Sequence, residues 1–105
     1  MVEKWAEAFN SSDVPRLLSC YTNDAVLVPT LSTKILLSKH EMAHYFVGLM
    51  MIKGVKVEVN SVVRRGNTES GFYTFKMEDE TDVVARFTFV GRGRKILTQH
   101  SSTLP

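Results

Sequence analysis

Cysteine is almost missing from this chain of 105 residues: Cys20 stands alone, so no intrachain disulfide can form. Secreted domains of this size more often carry paired cysteines, so the expectation is a reducing, cytoplasmic setting. Long apolar runs are missing too. None approaches the roughly 18 residues needed to cross a bilayer, and the opening VEKWAEAFN carries charges where a secretory leader would be apolar. Neither a membrane span nor a signal peptide is expected. An excess of one charge is also lacking. Thirteen Lys and Arg oppose eleven Asp and Glu, a net charge of +2 that is far from the concentrated basicity of a dedicated nucleic-acid binder. No nucleic-acid partner is expected. The length leaves no room for a second domain of ordinary size, so residues 1–105 are read as one domain. With 44% hydrophobic residues it should bury about 65% of its unfolded surface without metal or disulfide staples.

The residues present change period along the chain. Trp5, Ala8 and Phe9 recur at helical spacing. Ser11-Ser12-Asp13 then offers capping oxygens to a second short helix, with Pro15 in its first turn and Leu17, Leu18 and Tyr21 as its buried side. Asp24 to Thr30 is a short β-branched run closed by Pro29 and is read as a first strand. Ser38 and Glu41 have capping-box spacing, and Met42, Tyr45, Phe46, Leu49 and Met50 follow as the stripe of the longest helix, ended at Gly54. From Val55 the period becomes two: Val55, Val57, Val59 and Val63 alternate with Lys56, Glu58, Asn60 and Arg64. Gly71 to Met77, Asp82 to Val90 and Lys95 to Ser102 give three more strands, and the last four read as an antiparallel meander. Helices first and strands afterwards predict an α+β domain, with helices covering one face of a curved sheet.

GFYTFKM and VVARFTFV carry bulky apolar groups on both alternating faces, more than one helical layer can cover. The expected cover is a second copy, a homodimer or larger assembly through the outer sheet face. The meander also sorts charge. Arg64, Arg65, Arg92, Arg94 and Lys95 should gather at one end, and Glu78, Asp79, Glu80 and Asp82 at the other. These are either solvated hairpin tips or a docking point for an anionic partner.

His40-Glu41-Met42-Ala43-His44 spells HExxH, the zinc-peptidase pattern. The helical wheel turns both histidines away from the apolar stripe toward solvent, and no third ligand follows, so no metal or other cofactor is assigned. Cys20, His100, Ser101 and Ser102 suggest no nucleophile, because there is no GxSxG elbow and no carboxylate placed to orient His100. GRGRK lacks the following helix that would make a phosphate loop. Gln99-His100-Ser101-Ser102, by contrast, ends the last strand with four polar residues. Such groups line a pocket, for a small polar or anionic ligand, with Arg86 on the neighbouring strand either an anion donor or half of a structural ion pair.

The series WAEAFNSSDVPRLLSCYTNDAVLVPT, HEMAHYF, GFYTF, ARFTFV and HSSTLP resembles the association domain of calcium/calmodulin-dependent protein kinase II and its small bacterial relatives, in the nuclear transport factor 2-like superfamily. That resemblance implies a cystatin-like cone, with a curved antiparallel sheet wrapped around N-terminal helices, a pocket at the open end, and dimers or rings. The same group includes metal-free iota-class carbonic anhydrases. By that likeness Thr30, Tyr45 and Ser101 or Ser102 would be the catalytic hydroxyls, and Arg86, His100 and Gln99 would contact the ligand. Gln99 and Thr98 stand where those enzymes carry further histidines. Three readings follow: an oligomeric pocket domain for a small polar or anionic ligand, a metal-free carbonic anhydrase, and a non-catalytic assembly module. A collapsed, apolar-filled cone would favour the last. Strand alternation separates the two serines, Ser102 sharing a face with His100 and Ser101 with Gln99.

Overall fold

The computed structural model describes residues 1–104, in the order α1 (Val2–Asn10), α2 (Val14–Leu18), β1 (Tyr21–Val28), α3 (Lys39–Met50), β2 (Lys56–Arg65), β3 (Thr68–Lys76), β4 (Val83–Arg92) and β5 (Lys95–Thr103). The five strands form one sheet in the order β1-β5-β4-β3-β2. The meander β2 to β5 is antiparallel throughout. β1, however, pairs parallel to β5, which makes the sheet mixed rather than wholly antiparallel. The reason is connectivity: β1 returns to β5 only after α3 and the meander, so both leave the same end of the sheet. Among the described residues no helix is long and apolar enough to cross a membrane.

Local chemistry sets the helix ends. Asp13 accepts a hydrogen bond from the Arg16 N–H at 3.0 Å and caps α2. Ser38 accepts from the Glu41 N–H at 3.1 Å and caps α3. At α1, a side chain from the sheet does this work: buried Glu69 accepts from the Val2 N–H at 2.8 Å and from Arg64 Nε at 3.1 Å. Tyr21, expected on the buried side of α2, opens β1 instead, because α2 stops at Leu18.

The core lies between the helices and the inner sheet face. Trp5 is its hub, stacked on Tyr73 at 5.2 Å and on Phe9 at 5.8 Å, with Phe89 and Phe46 edge-on at 5.7 and 6.4 Å. Such pairs add about 0.5–1.5 kcal/mol each beyond the area they bury.

β2 breaks the simple alternation. The pairing with β3 shifts between Val59 and Ser61, leaving Asn60 as an extra residue. Beyond it the faces exchange: Val62 packs against the core, whereas Val63, expected inside, is 68% exposed. Opposite the bulge sits Gly71, where an added Cβ would lie 1.9 Å from the Ser61 carbonyl oxygen. Thr74 Oγ1 donates to Asn60 Oδ1 at 2.7 Å and fixes the bulged residue. The Gly71→Ala variant should therefore lose about 3 kcal/mol, read as a lower denaturant midpoint, since backbone must move to admit the methyl. An unchanged midpoint would mean the bulge is not required.

Candidate functional site

Inside the cone a single row of polar groups crosses the aromatic core. Trp5 Nε1–H donates to the Tyr21 hydroxyl at 2.8 Å, and that hydroxyl donates to Gln99 Oε1. The Tyr73 hydroxyl is 2.5 Å from Ser101 Oγ and 3.5 Å from Thr30 Oγ1. Gln99 and Ser101 point inward because they alternate with His100 on β5, opposite the inner residues Phe89 and Phe87 of β4. Nearer the mouth, Tyr45 accepts from the Leu31 N–H at 3.3 Å. Thr30, Tyr45, Tyr73 and Gln99 line one crevice together with Trp5, Phe46 and Phe75, and this crevice has no space that a water-sized sphere could occupy.

Three expected site residues lie elsewhere. Arg86, His100 and Ser102 share the outer face, where Arg86 pairs in register with Ser102 and His100 with Thr88. The Arg86 guanidinium sits 5.9 Å from the Phe72 ring centroid, a cation–π contact, and is exposed. Its placement beside a pocket is thus corrected: the period of two puts it outside while Ala85 and Phe87 face in. Of the two serines, Ser101 is the interior one. Of the hydroxyls and amides expected in the site, Thr30, Tyr45, Gln99 and Ser101 are gathered in the cone.

Tyr21 and Tyr73 complete the row, and sequence reasoning missed both. The signal for Tyr73 was available: a buried serine on β5 needs a partner, and Tyr73 lies on the inner face two strands away. Tyr21 was hidden by the misplaced end of α2.

No charged side chain joins this row. The buried polar residues are Thr22, Glu69, Thr74, Gln99 and Ser101, and Glu69 is bound at the start of α1. Burial pushes Tyr21 and Tyr73 above the ordinary phenol range; for Tyr73, hydrogen bonds from Ser101, Thr30 and Gln99 pull partly back. Burial likewise raises Tyr45 to about 12. All three phenols stay neutral at pH 7 and act as hydrogen-bonding groups, not bases.

His40 and His44 are exposed, as the wheel predicted, beside a depression of about 400 Å³ lined also by Ser32, Lys34, Leu36, Glu41 and Tyr45. Glu41 accepts from the Leu37 N–H at 3.0 Å and pairs with Lys34 at 2.8 Å, which makes it a capping residue. Among the described residues no three His, Cys, Asp or Glu side chains are grouped to hold a metal ion.

The sequence profile of the SnoaL-like domain matches residues 2–101. No curated protein sequence matches the chain. Among solved structures, a Xanthomonas campestris protein carrying the provisional name of a calcium/calmodulin-dependent protein kinase II association domain is 27% identical, with a TM-score of 0.81 over 99% of this chain and 83% of its own. A Catenulispora acidiphila protein with a ketosteroid isomerase-like fold, solved with trimethylamine, gives 18% identity and a TM-score of 0.77, covering 95% of this chain and 82% of its own. A protein from Sinorhizobium meliloti, provisionally named a polyketide cyclase, gives 14% identity and a TM-score of 0.79, covering 95% and 91%. The last two likenesses show the fold alone.

Two outcomes test the polar row. Gln99→Leu should cost about 1–3 kcal/mol of stability in denaturant titration, because it strips the Tyr21 hydroxyl of its acceptor. Because Tyr45 ionises near 12 when folded and near 10 when unfolded, its contribution is complete below pH 10 and is lost as pH rises toward 12. Tyrosinate absorbance in native protein should therefore lag behind that of the urea-unfolded chain. Coincident curves would contradict the buried phenols.

Proposed function

The chain belongs to the SnoaL-like domain family of the nuclear transport factor 2-like superfamily, and on that premise we propose that it is an association module, self-assembling through the outer face of its sheet around a non-catalytic cone. The observation that carries this reading is the filled interior: aromatic rings and paired hydroxyls occupy the cone, and no acid or base stands among them. A hydratase, isomerase or cyclase needs a group that takes or gives a proton near neutral pH, and neutral phenols with raised pKa values do not supply it.

The outer face supports the assembly. Phe72, Val84 and Val63 are exposed there at 37%, 39% and 68%, beside the Arg86 guanidinium. Five strands about 4.8 Å apart, each about nine residues long at about 3.3 Å per residue, present roughly 700 Å². A stable interface takes about 800 Å² from each partner, so one such face packed on its own copy is of the right size. The 27%-identical relative, with its association-domain name, agrees in kind.

A second reading keeps a ligand. Tyr45 lines both the internal crevice and the external depression of about 400 Å³, so its movement would join them. Inside the crevice a molecule would meet hydroxyls and an amide but no cation, and Lys34 of the depression is paired with Glu41, which favours a small uncharged polar ligand over an anion.

Light scattering at micromolar concentration should give a dimer or larger. Phe72→Glu or Val84→Lys should weaken assembly at least about tenfold, equivalent to about 1.4 kcal/mol, with the melting temperature preserved. A strictly monomeric mass overturns the association reading. Chelator-treated protein should hydrate carbon dioxide no faster than buffer; a rate that vanishes in Tyr45→Phe and Ser101→Ala would replace it with the hydratase.

A further inference from the structure

The antiparallel hairpins do segregate charge, and the basic end lies opposite the cone mouth. The β2–β3 and β4–β5 tips are clamped together there, the Gly91 N–H donating to the Asn67 carbonyl at 2.7 Å and Asn67 Nδ2 donating back to Gly91 at 3.0 Å. Gly93, at φ +66°, takes the first position of the two-residue β4–β5 turn and sets Arg94 beside the strand end. Between this tip, the first turn of α1 and the residues after α2 runs a cleft of about 220 Å³, lined by Lys4, Ser19, Cys20, Arg94, Lys95 and Ile96. Across Lys4 and Arg94 it adjoins a depression of about 330 Å³ walled by Gly66, Gly91 and Gly93 together with Asn67 and Glu69.

Of the cations lining this cleft, the N-terminal ammonium of Met1 is paired with Glu69 at 2.9 Å, but the side-chain cations are unmatched. Among the described residues Lys4, Arg94 and Lys95 have no ion-pair partner. The carboxylates near this end are already committed: Asp24 binds Arg92 at 2.6 and 3.1 Å, and Glu69 binds Arg64 and the Val2 N–H. No acidic side chain lines the smaller cleft. Lys4, Arg94 and Lys95 line the cleft around Cys20, whose thiol is raised by burial and lowered in part by Arg16, Lys4, the N-terminal ammonium and Lys95. Cations gathered without a counter-charge repel one another, and an anion seated among them reverses the sign of that energy.

We propose that this cleft binds the phosphate group of a small phosphorylated molecule. Three cations match a dianion better than a single carboxylate, which would leave two of them unpaired. Arg94 offers a planar fork and the lysines point charges, the usual division of labour around a phosphate. The cleft is sized for one phosphate and a few further atoms, and the adjoining depression, where Glu69 and Asn67 offer polar partners, leaves room for the rest of the molecule. A nucleic-acid backbone fits less well: it needs a continuous basic track, and here the flanking cations Arg16, Arg64 and Arg92 are held by Glu7, Glu3 and Asp24. The site is separate from the sheet face and the cone, so its failure leaves the association reading standing.

Amide NMR of the full chain, titrated with inorganic phosphate, glucose 6-phosphate, glucose and a single-stranded oligonucleotide, tests the proposal. Phosphate and the sugar phosphate should give saturable shifts at Ser19, Cys20, Arg94 and Lys95, and glucose none. Arg94→Gln and Lys4→Gln, both at exposed positions, should keep a dispersed spectrum and raise the dissociation constant about tenfold each. Arg92→Gln, whose wild-type side chain is paired with Asp24, should leave it unchanged. Absence of saturable shifts overturns the proposal. So does equal weakening by all three variants, or tighter binding of the oligonucleotide with a steep salt dependence, which would mark a diffuse polyanion surface.

Discussion

The hydrogen bond from the Trp5 indole to the Tyr21 hydroxyl is the constraint around which the rest of the structure is arranged. An indole N–H sealed among Phe9, Phe46, Tyr73 and Phe89 must find an acceptor or cost the core about 1–3 kcal/mol. The acceptor comes from the first residue of β1, which in turn donates to Gln99 on β5. One chain of bonds thus holds α1, β1 and β5 together. It also explains why the parallel pair sits at the sheet edge: Tyr21 pairs with Ile96 and Leu27 with Gln99, so the strand that supplies the acceptor lies beside the strand that supplies the amide. Remove the polar row, and little would specify which aromatic packs where.

A neutral interior follows from the same constraint, and with it the placement of charge. The polar groups that cross the cone are hydroxyls, an indole and an amide paired with one another, and the surrounding rings offer no solvation to an ion. Charge is driven to the ends of the meander, acids at the β3–β4 turn near the cone mouth and bases at the two opposite tips. In this chain, whose fold carries provisional enzyme names elsewhere, the polar row across the cone holds no charged side chain among the described residues. Outside, two features lack partners: apolar side chains on the outer sheet face, and cations at the narrow end.

Much of this was readable in the sequence. The helix-to-strand change of period gave the α+β class, the capping spacing gave α3, and alternation along β5 assigned Ser101 and Ser102 to opposite faces. The misreadings have local causes. Val63 went to the wrong face because one extra residue, Asn60, inverts everything after it, and only Gly71 on another strand hinted at the bulge. Arg86 was drawn toward the pocket by the polar run on the neighbouring strand, although its own strand, with Ala85 and Phe87 inside, placed it out. Tyr21 was given to a helix because its spacing from Leu17 fits one; the partner that fixes it in β1 is 78 residues away. Such partners leave no local signature.

The filled cone need not stay closed everywhere. Opening it near Trp5 would break four aromatic contacts and orphan the indole, a cost that a few ligand contacts would not offset. Opening it at the mouth is different in kind. Residues 29–37 are tied down by the Leu31–Tyr45 and Leu37–Glu41 bonds, the short pairing of Leu36 with Leu27, and an exposed Lys34–Glu41 pair. Leu31, Ile35 and Leu37 are exposed, and only Pro29 and Leu36 of this segment are buried, so lifting it sacrifices less buried apolar area than opening the Trp5 end. The polar row then meets solvent first at Thr30 and Tyr45, and last at Tyr21. A ligand would therefore be recognised at the rim, by hydroxyls whose loss of mutual partners is small, while the Trp5 end persists as the fixed base of the cone.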